Sequence, residues 1–172
     1  MVVFLIGYMG CGKSSLGRRI AARVGYEFID MDKIIEQKCS ASVSEIFATR
    51  GEKWFREMER RTLEELAGLT ANTIVATGGG VPCFSDNMQL MNSMGKTVYL
   101  KMSPQKIVGR ISPAGRQKRP IIRGMNDEQL LDFISRNLPA RDPYYESSSL
   151  IVDCDTLSDA AIMEHIIHEI KR

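Results

Sequence analysis

The sequence predicts an α/β protein in which helices cover both faces of a parallel sheet. Short apolar runs recur along the chain, and segments with helical spacing separate them. Parallel strands that are buried on both faces have this composition, and a helix usually joins one such strand to the next. The first apolar run leads directly into a glycine-rich turn and then into a helical pattern. Five strands are predicted, at residues 2–6, 27–30, 73–76, 97–100 and 150–153.

The turn after the first strand, GYMGCGKS at residues 7–14, fits the phosphate-binding pattern G-x-x-x-x-G-K-[ST]. Its glycines allow backbone N–H groups to approach phosphates, and the next helix adds its positive end. A glycine-rich turn that merely precedes a lysine is the alternative, which the flanking strand and helix disfavour. Lys13 is expected to reach the β- and γ-phosphates, and Ser14 to offer its hydroxyl to Mg²⁺. The predicted ATP contacts in this P-loop are Gly10, Cys11, Gly12, Lys13, Ser14 and Ser15.

Helix signals fill the intervals between the strands. A helix is predicted over residues 14–23, directly after the phosphate loop. Residues 32–69 form a helical insertion that is long for a simple crossover, so a second substrate is expected to bind there, beside the carboxyl ends of the strands. Ser103-Pro104 and Ser158-Asp159 each start a further helix, because serine caps a helix and proline fits its first turn.

Length, charge and composition limit the class of function. A chain of 172 residues fits a single domain, so residues 1–172 are assigned to one P-loop domain. Basic and acidic residues number 23 and 21, and aromatic residues make up 7%, so no nucleic-acid partner is expected. Residues 1–30 do not have the pattern of a signal peptide, and no apolar stretch reaches the roughly 20 residues that a membrane span needs, so neither feature is expected. We therefore expect a cytoplasmic monomer that does not bind membranes, with free thiols at Cys11, Cys39, Cys83 and Cys154.

Polar residues follow the second and third strands at the same edge of the sheet. Asp30 and Asp32 come after the second strand, and one carboxylate near Mg²⁺ with another that accepts a proton would suit phosphoryl transfer to an alcohol. Capping of the next helix by Asp32 is the alternative, but capping explains only one of the two. Gly78, Gly79 and Gly80 follow the third strand and permit close approach to a ligand.

Three further features favour a two-substrate site. Arg56 and Arg141 are each able to grip a carboxylate with two hydrogen bonds, although an isolated arginine is more often a surface residue. Residues 112–124 carry two prolines, two glycines and several cationic side chains without periodicity. This composition suits a mobile loop, either a solvated basic loop or a lid over bound phosphates, and the phosphate loop elsewhere in the chain favours the lid.

Taken in order, these motifs resemble the shikimate kinase family. They span nearly the whole chain and comprise the phosphate loop, Asp30-x-Asp32, Phe55-Arg56-x-x-Glu59, Thr77-Gly78-Gly79-Gly80, Arg119-Pro120-Ile121-Ile122 and Arg141-x-Pro143-x-Tyr145. The resemblance implies a nucleoside-monophosphate-kinase-like fold and transfer of the ATP γ-phosphoryl group to the 3-hydroxyl of shikimate, in the chorismate pathway of aromatic amino-acid biosynthesis.

The resemblance also implies a role for each matching residue. Lys13, Asp32 and Arg119 would be catalytic, with Asp32 as the base and Arg119 closing from the lid onto ATP. Ser14 and, through water, Asp30 would hold Mg²⁺. Shikimate would be bound by Asp32, Arg56, Gly79 and Arg141.

Some positions depart from the family pattern. The lid reads Arg119-Pro120-Ile121-Ile122 where Arg-Pro-Leu-Leu is usual, a swap of similar volume that should alter closure little. The adenine-side segment reads Asp153-Cys154-Asp155, and Arg110 resembles an arginine that packs near adenine, so the residues that contact the base stay open. Two alternatives remain: another metabolite kinase of this fold, such as gluconate kinase or a nucleoside-monophosphate kinase, and a nucleotide-binding switch that phosphorylates nothing.

Overall fold

The computed structural model describes all 172 residues and has a five-stranded parallel sheet at its centre, which confirms the predicted fold class. The strands are β1 (Val2–Ile6), β2 (Glu27–Asp30), β3 (Thr73–Ala76), β4 (Gly95–Lys101) and β5 (Leu150–Asp153). Strand β4 begins two residues before its predicted start, because Gly95 and Lys96 pair with Val2 and Val3. The spatial order is β2-β3-β1-β4-β5, so β1 is central and buried along its whole length.

Nine α-helices and two short 3₁₀ turns connect the strands. The helices are α1 (Lys13–Val24), α2 (Met31–Cys39), α3 (Val43–Arg50), α4 (Glu52–Leu66), α5 (Asn87–Met94), α6 (Pro104–Arg110), α7 (Pro113–Gln117), α8 (Asp127–Tyr145) and α9 (Asp159–Lys171). Ser103 caps α6 and Ser158 caps α9, as predicted. None of these helices combines the length and the apolar character needed to cross a membrane.

Two apolar clusters position the elements around the site. The larger cluster contains 36 buried residues from the sheet and the helices on its two faces. A second, small cluster of Ile35, Ile46 and Phe55 joins α2, α3 and α4. The predicted helical region at 32–69 therefore consists of three helices with an apolar contact of their own, placed beside the carboxyl end of β2.

The segment 112–124 is more ordered than its composition predicts. It contains α7 and a 3₁₀ turn at Pro120–Ile122 instead of irregular loop throughout. The Ser112 side chain accepts a hydrogen bond from Gly115 N, and Pro113 occupies the first turn of α7, which together form a helix start. Arg116 is buried and donates to Asp127 Oδ1, which attaches the segment to the start of α8.

Candidate active site

The phosphate loop runs between the end of β1 and the start of α1. Gly10 and Gly12 have φ angles of 81° and 84°, a left-handed conformation that residues with a Cβ rarely adopt. Lys13 is buried, and its Nζ donates to the carbonyl oxygens of Gly7 at 2.8 Å and Tyr8 at 2.9 Å. Burial lowers the pKa of Lys13, since the charged form loses hydration. The loop thus holds the Lys13 side chain against two of its own carbonyl oxygens.

Ser14 and Asp30 form a pair of oxygen donors beside this loop. Ser14 Oγ donates to Asp30 Oδ2 at 2.6 Å, while Asp30 Oδ1 accepts from the N–H groups of Asp32 and Lys33. Asp30, and not Asp32, is therefore the cap of α2. A hydroxyl and a carboxylate suit Mg²⁺, which prefers oxygen ligands and obtains the rest of its coordination shell from phosphates and water.

A cavity of about 360 Å³ brings most of the predicted residues together. Its lining includes Gly10, Gly12, Lys13, Ser14, Ser15, Asp30, Asp32, Gly79, Arg110 and Arg119. The side chain of Cys11 is buried instead, and burial raises the pKa of its thiol. Arg110 lies against Gly12 and pairs with Asp159 at 3.0 Å, which places its guanidinium at the α9 side of this cavity.

Asp32 lies in the first turn of α2 and has no capping role there. Burial raises the pKa of its carboxyl, and the nearby Asp30 carboxylate raises it further, whereas Lys13 opposes the shift. A higher pKa makes a carboxylate a stronger base once it is ionised. Asp32 therefore has the location and the electrostatics of a group that accepts a proton at the edge of the phosphate cavity.

Arg56 and Arg141 line a second cavity of about 420 Å³ on the other side of the glycine run, Gly78 to Gly80. Arg56 donates to Glu59 Oε2 at 2.7 Å and packs so closely on Gly80 that a Cβ atom there would lie 2.2 Å from Arg56 Nη1. Arg141 lies on α8, with its Cζ 5.1 Å from the centre of the Tyr8 ring. The two guanidinium groups, from distant parts of the sequence, thus face one space.

Sequence reasoning assigned no role to Glu59, although it stands in a quoted motif. Glu59 is 1% exposed, and burial raises its pKa to about 7 although Arg56 opposes the shift. A Cβ atom on Gly78 would lie 2.7 Å from Glu59 Oε1 and 3.1 Å from Asp32 Oδ1, so this glycine separates the two carboxylates. The i,i+3 spacing of Arg56 and Glu59 on a helix could have predicted their ion pair from the sequence.

Arg119 reaches the phosphate cavity from the segment 112–124. Its Nη1 donates to the carbonyl of Gly115 at 2.7 Å, which orients the side chain from within the segment. Ser44 at the start of α3 donates its hydroxyl to the carbonyl of Lys118 at 3.1 Å, and both residues line a third cavity. The segment therefore bridges the phosphate loop and the helical region that carries Arg56.

Comparisons with known proteins find relatives that match nearly the whole chain. The family model described as "Shikimate kinase" matches residues 9–171. A shikimate kinase from Bacteroides thetaiotaomicron is 42% identical over 169 residues, covering 98% of this chain and 95% of the relative. The crystal structure of shikimate kinase from the same species has a TM-score of 0.88 at 41% identity, covering 99% of this chain and 96% of the other.

A third comparison involves a protein with a bound ligand. The structure of shikimate kinase from Acinetobacter baumannii in complex with shikimate has a TM-score of 0.85 at 31% identity and covers 99% of this chain and 92% of the other. Because the family model and these full-length relatives agree, the chain belongs to the shikimate kinase family.

Proposed function

We propose that this enzyme, an ATP-dependent phosphotransferase, transfers the γ-phosphoryl group of ATP to the 3-hydroxyl of shikimate, giving shikimate 3-phosphate and ADP. The observation that carries the proposal is the pair of adjoining cavities, one with the phosphate loop and Asp32, the other with Arg56 and Arg141. Shikimate has one carboxylate and three hydroxyls. Two arginines and an aspartate are the groups that complement it.

The residues divide the reaction between them. Arg56 and Arg141 bind the shikimate carboxylate, so that the 3-hydroxyl faces Asp32 across the glycine run, with Gly79 at the boundary. Asp32 takes the hydroxyl proton as the oxygen forms a bond to the γ-phosphorus. The bond from that phosphorus to the β,γ-bridging oxygen breaks, and its electron pair leaves with ADP. Lys13 and Arg119 stabilise the negative charge that develops on the transferred group.

Magnesium fits the oxygen pair formed by Ser14 and Asp30, with Asp30 acting through water. When bound, the ion would supply charge neutralisation between the phosphates. The remaining P-loop residues, Gly10, Cys11, Gly12 and Ser15, bind phosphate through their backbone and hydroxyl groups. The lid at 112–124 and the helical region at 32–69 enclose the two substrates. The proposal also takes the enzyme to be a monomer in the cytoplasm, where its co-substrate ATP is available.

An assay of ADP release that is coupled to NADH oxidation tests the proposal with purified protein, ATP and Mg²⁺. Shikimate should accelerate ADP release strongly, whereas gluconate and nucleoside monophosphates should leave it at the background rate. Identification of shikimate 3-phosphate by mass spectrometry completes the test. ADP release that is indifferent to shikimate would contradict the proposed acceptor, and a slow rate with every acceptor would favour a nucleotide-binding switch.

A further inference from the structure

Tyr8 is a phosphate-loop residue that contacts both sides of the site. It is 1% exposed, and its carbonyl oxygen accepts a hydrogen bond from Lys13 Nζ at 2.9 Å. Its ring lies under the guanidinium of Arg141, with 5.1 Å between Cζ and the ring centre. One residue therefore contacts the cation that faces the phosphates and a cation that faces the acceptor cavity.

The two acceptor-side arginines are held by different forces. Arg56 forms ion pairs with Glu59 at 2.7 Å and with Glu52 at 3.4 Å. Arg141 takes part in none of the ion pairs of the structure. The carboxylate next to it in sequence, Asp142, accepts a hydrogen bond from the Tyr99 hydroxyl at 2.8 Å instead. The Tyr145 hydroxyl, which donates to the Gly79 carbonyl at 2.6 Å, is another polar group beside Arg141. The charge of Arg141 thus stays without a carboxylate partner from the protein.

An aromatic ring can hold a guanidinium without competing with its ligand. The negative face of the ring attracts the cation, and the attraction grows when both groups are removed from water. A contact through the face leaves the N–H groups, which lie in the guanidinium plane, available for two parallel hydrogen bonds to a carboxylate. A carboxylate partner in the same place would occupy those donors.

We propose that Tyr8 is a positioning residue for the acceptor, whose ring holds Arg141 at the cavity through its face and so uses none of the N–H groups that the substrate carboxylate needs. The inference rests on the proposed function, since it takes shikimate as the acceptor. It also connects the two halves of the site, because the residue that supports Arg141 belongs to the loop that holds Lys13. The role depends on the face of the ring and not on the hydroxyl.

Steady-state kinetics of Tyr8→Leu and Tyr8→Phe test the proposal. Loss of the ring in Tyr8→Leu should raise KM for shikimate by roughly 3- to 30-fold, the range expected of a cation–π contact. KM for ATP should stay within about twofold, because the Lys13 contact uses the Tyr8 carbonyl. Tyr8→Phe keeps the ring face and should restore KM for shikimate. Tyr8→Met serves as a second ring-free variant if the leucine variant does not fold.

A matched control and a double-mutant cycle separate this role from packing. Phe28→Leu removes a ring from beneath Arg18, where Cζ lies 5.3 Å from the ring centre, and should leave KM for shikimate unchanged. In an Arg141→Ala background, Tyr8→Leu should have no further effect on that KM.

Three results would overturn the role of Tyr8 while leaving the proposed function in place. These are an unchanged KM for shikimate in Tyr8→Leu, a parallel rise in both KM values, and an effect that persists without Arg141. A wild-type protein that fails to phosphorylate shikimate would instead overturn both proposals.

Discussion

Asp32 and Glu59 are two carboxylates whose protonation is governed by burial. The pKa of each is raised because the ionised form loses hydration. The two carboxylates differ in the groups that surround them. Asp32 lines the phosphate cavity beside Lys13, whereas Glu59 is bound to Arg56 at 2.7 Å. We therefore assign proton transfer to the first carboxylate and control of a guanidinium to the second.

Replacement of Asp32 by asparagine should lower kcat by roughly 10²- to 10⁴-fold, because the amide cannot accept the hydroxyl proton. ATP binding should persist, since Asp32 does not belong to the phosphate loop. In the wild-type enzyme kcat should fall as the pH decreases through the raised pKa of Asp32. Steady-state rates across pH measure both effects. An asparagine variant with wild-type kcat would mean that another group takes the proton.

Protonation of Glu59 should control acceptor binding near neutral pH. Its pKa is raised to about 7, so the carboxyl is ionised at pH 8 and mostly neutral at pH 6. The neutral form holds Arg56 less firmly, and KM for shikimate should therefore rise as the pH falls through 7. Glu59→Gln should flatten this dependence. Glu52→Gln, which removes the exposed partner of Arg56, should retain it and is the matched control.

The same shift has a consequence for stability. Because the folded-state pKa of about 7 lies above the ordinary value of 4.5, the folded state binds more protons than the unfolded state between these two values. The contribution of Glu59 to the free energy of unfolding is therefore fully present below pH 4.5 and is lost as the pH rises through 7. Urea unfolding at several pH values measures this contribution. Between pH 4.5 and 7 the free energy of unfolding should fall with pH more steeply for the wild type than for Glu59→Gln.

At the scale of elements, the glycine run after β3 acts through the space that it leaves open. Arg56 packs on Gly80 and fills the place of a Cβ atom, while Asp32 and Glu59 approach Gly78. The φ angles of Gly78 and Gly80 lie outside the left-handed region, so backbone strain does not explain why glycine stands at these positions. A methyl group at either position would displace charged side chains while leaving the sheet intact.

Gly80→Ala should therefore weaken acceptor binding with little loss of stability. The added methyl group would lie 2.2 Å from Arg56 Nη1, and the end of that flexible side chain is what must move. We expect KM for shikimate to rise about 10-fold, in line with the loss of one charged hydrogen bond, while the unfolding midpoint stays nearly constant. Gly78→Ala provides the contrast, because its methyl group would lie 2.7 Å from Glu59 Oε1 and 3.1 Å from Asp32 Oδ1, so kcat should fall in addition to any rise in KM.

We expect the segment 112–124 to couple closure to chemistry through Arg119. Arg119→Ala should lower kcat on the order of 10³-fold and change the binding of either substrate far less, because the guanidinium neutralises charge that develops in the transition state. Single-turnover kinetics together with direct binding measurements separate the two effects. Equal losses in kcat and in ATP affinity would assign Arg119 to ground-state binding.

Hydrogen exchange tests the motion of the same segment. Its amides should exchange rapidly in the free protein and slowly when nucleotide and shikimate are both present. The hydrogen bond from Ser44 Oγ to the Lys118 carbonyl connects the segment to α3, so Ser44→Ala should reduce the ligand-induced protection of its amides. Strong protection in the free protein would indicate a static segment.

For the whole molecule, we expect the buried charge at the site to lower the stability of the fold. Lys13 is buried at the start of α1, and burial lowers its pKa. Lys13→Ala should abolish transfer, because it removes a charge from the transition state. The unfolding midpoint at pH 7 should be unchanged or higher, since a desolvated cation is removed from the fold. A collapsed midpoint would instead assign Lys13 to the core.

The sequence by itself determined the features that depend on neighbouring residues. Five apolar runs predicted five strands, and serines at positions 103 and 158 predicted two helix starts, because periodicity and capping act within a few residues. The phosphate loop was recognised for the same reason, since its glycines and Lys13 are consecutive. Asp30 and Asp32 were placed at the correct edge because they stand at the end of a predicted strand and just after it.

Only the tertiary structure decided what depends on distant contacts. Three features depend on segments that are far apart in sequence. They are the strand order, the raised pKa of Glu59 and the contact of Arg141 with the Tyr8 ring. Desolvation and cation–π attraction depend on distance and burial, and no local pattern encodes either. The cap of α2 is a local contact, yet the sequence does not choose between Asp30 and Asp32, which are equivalent by type, and only the backbone geometry selects Asp30.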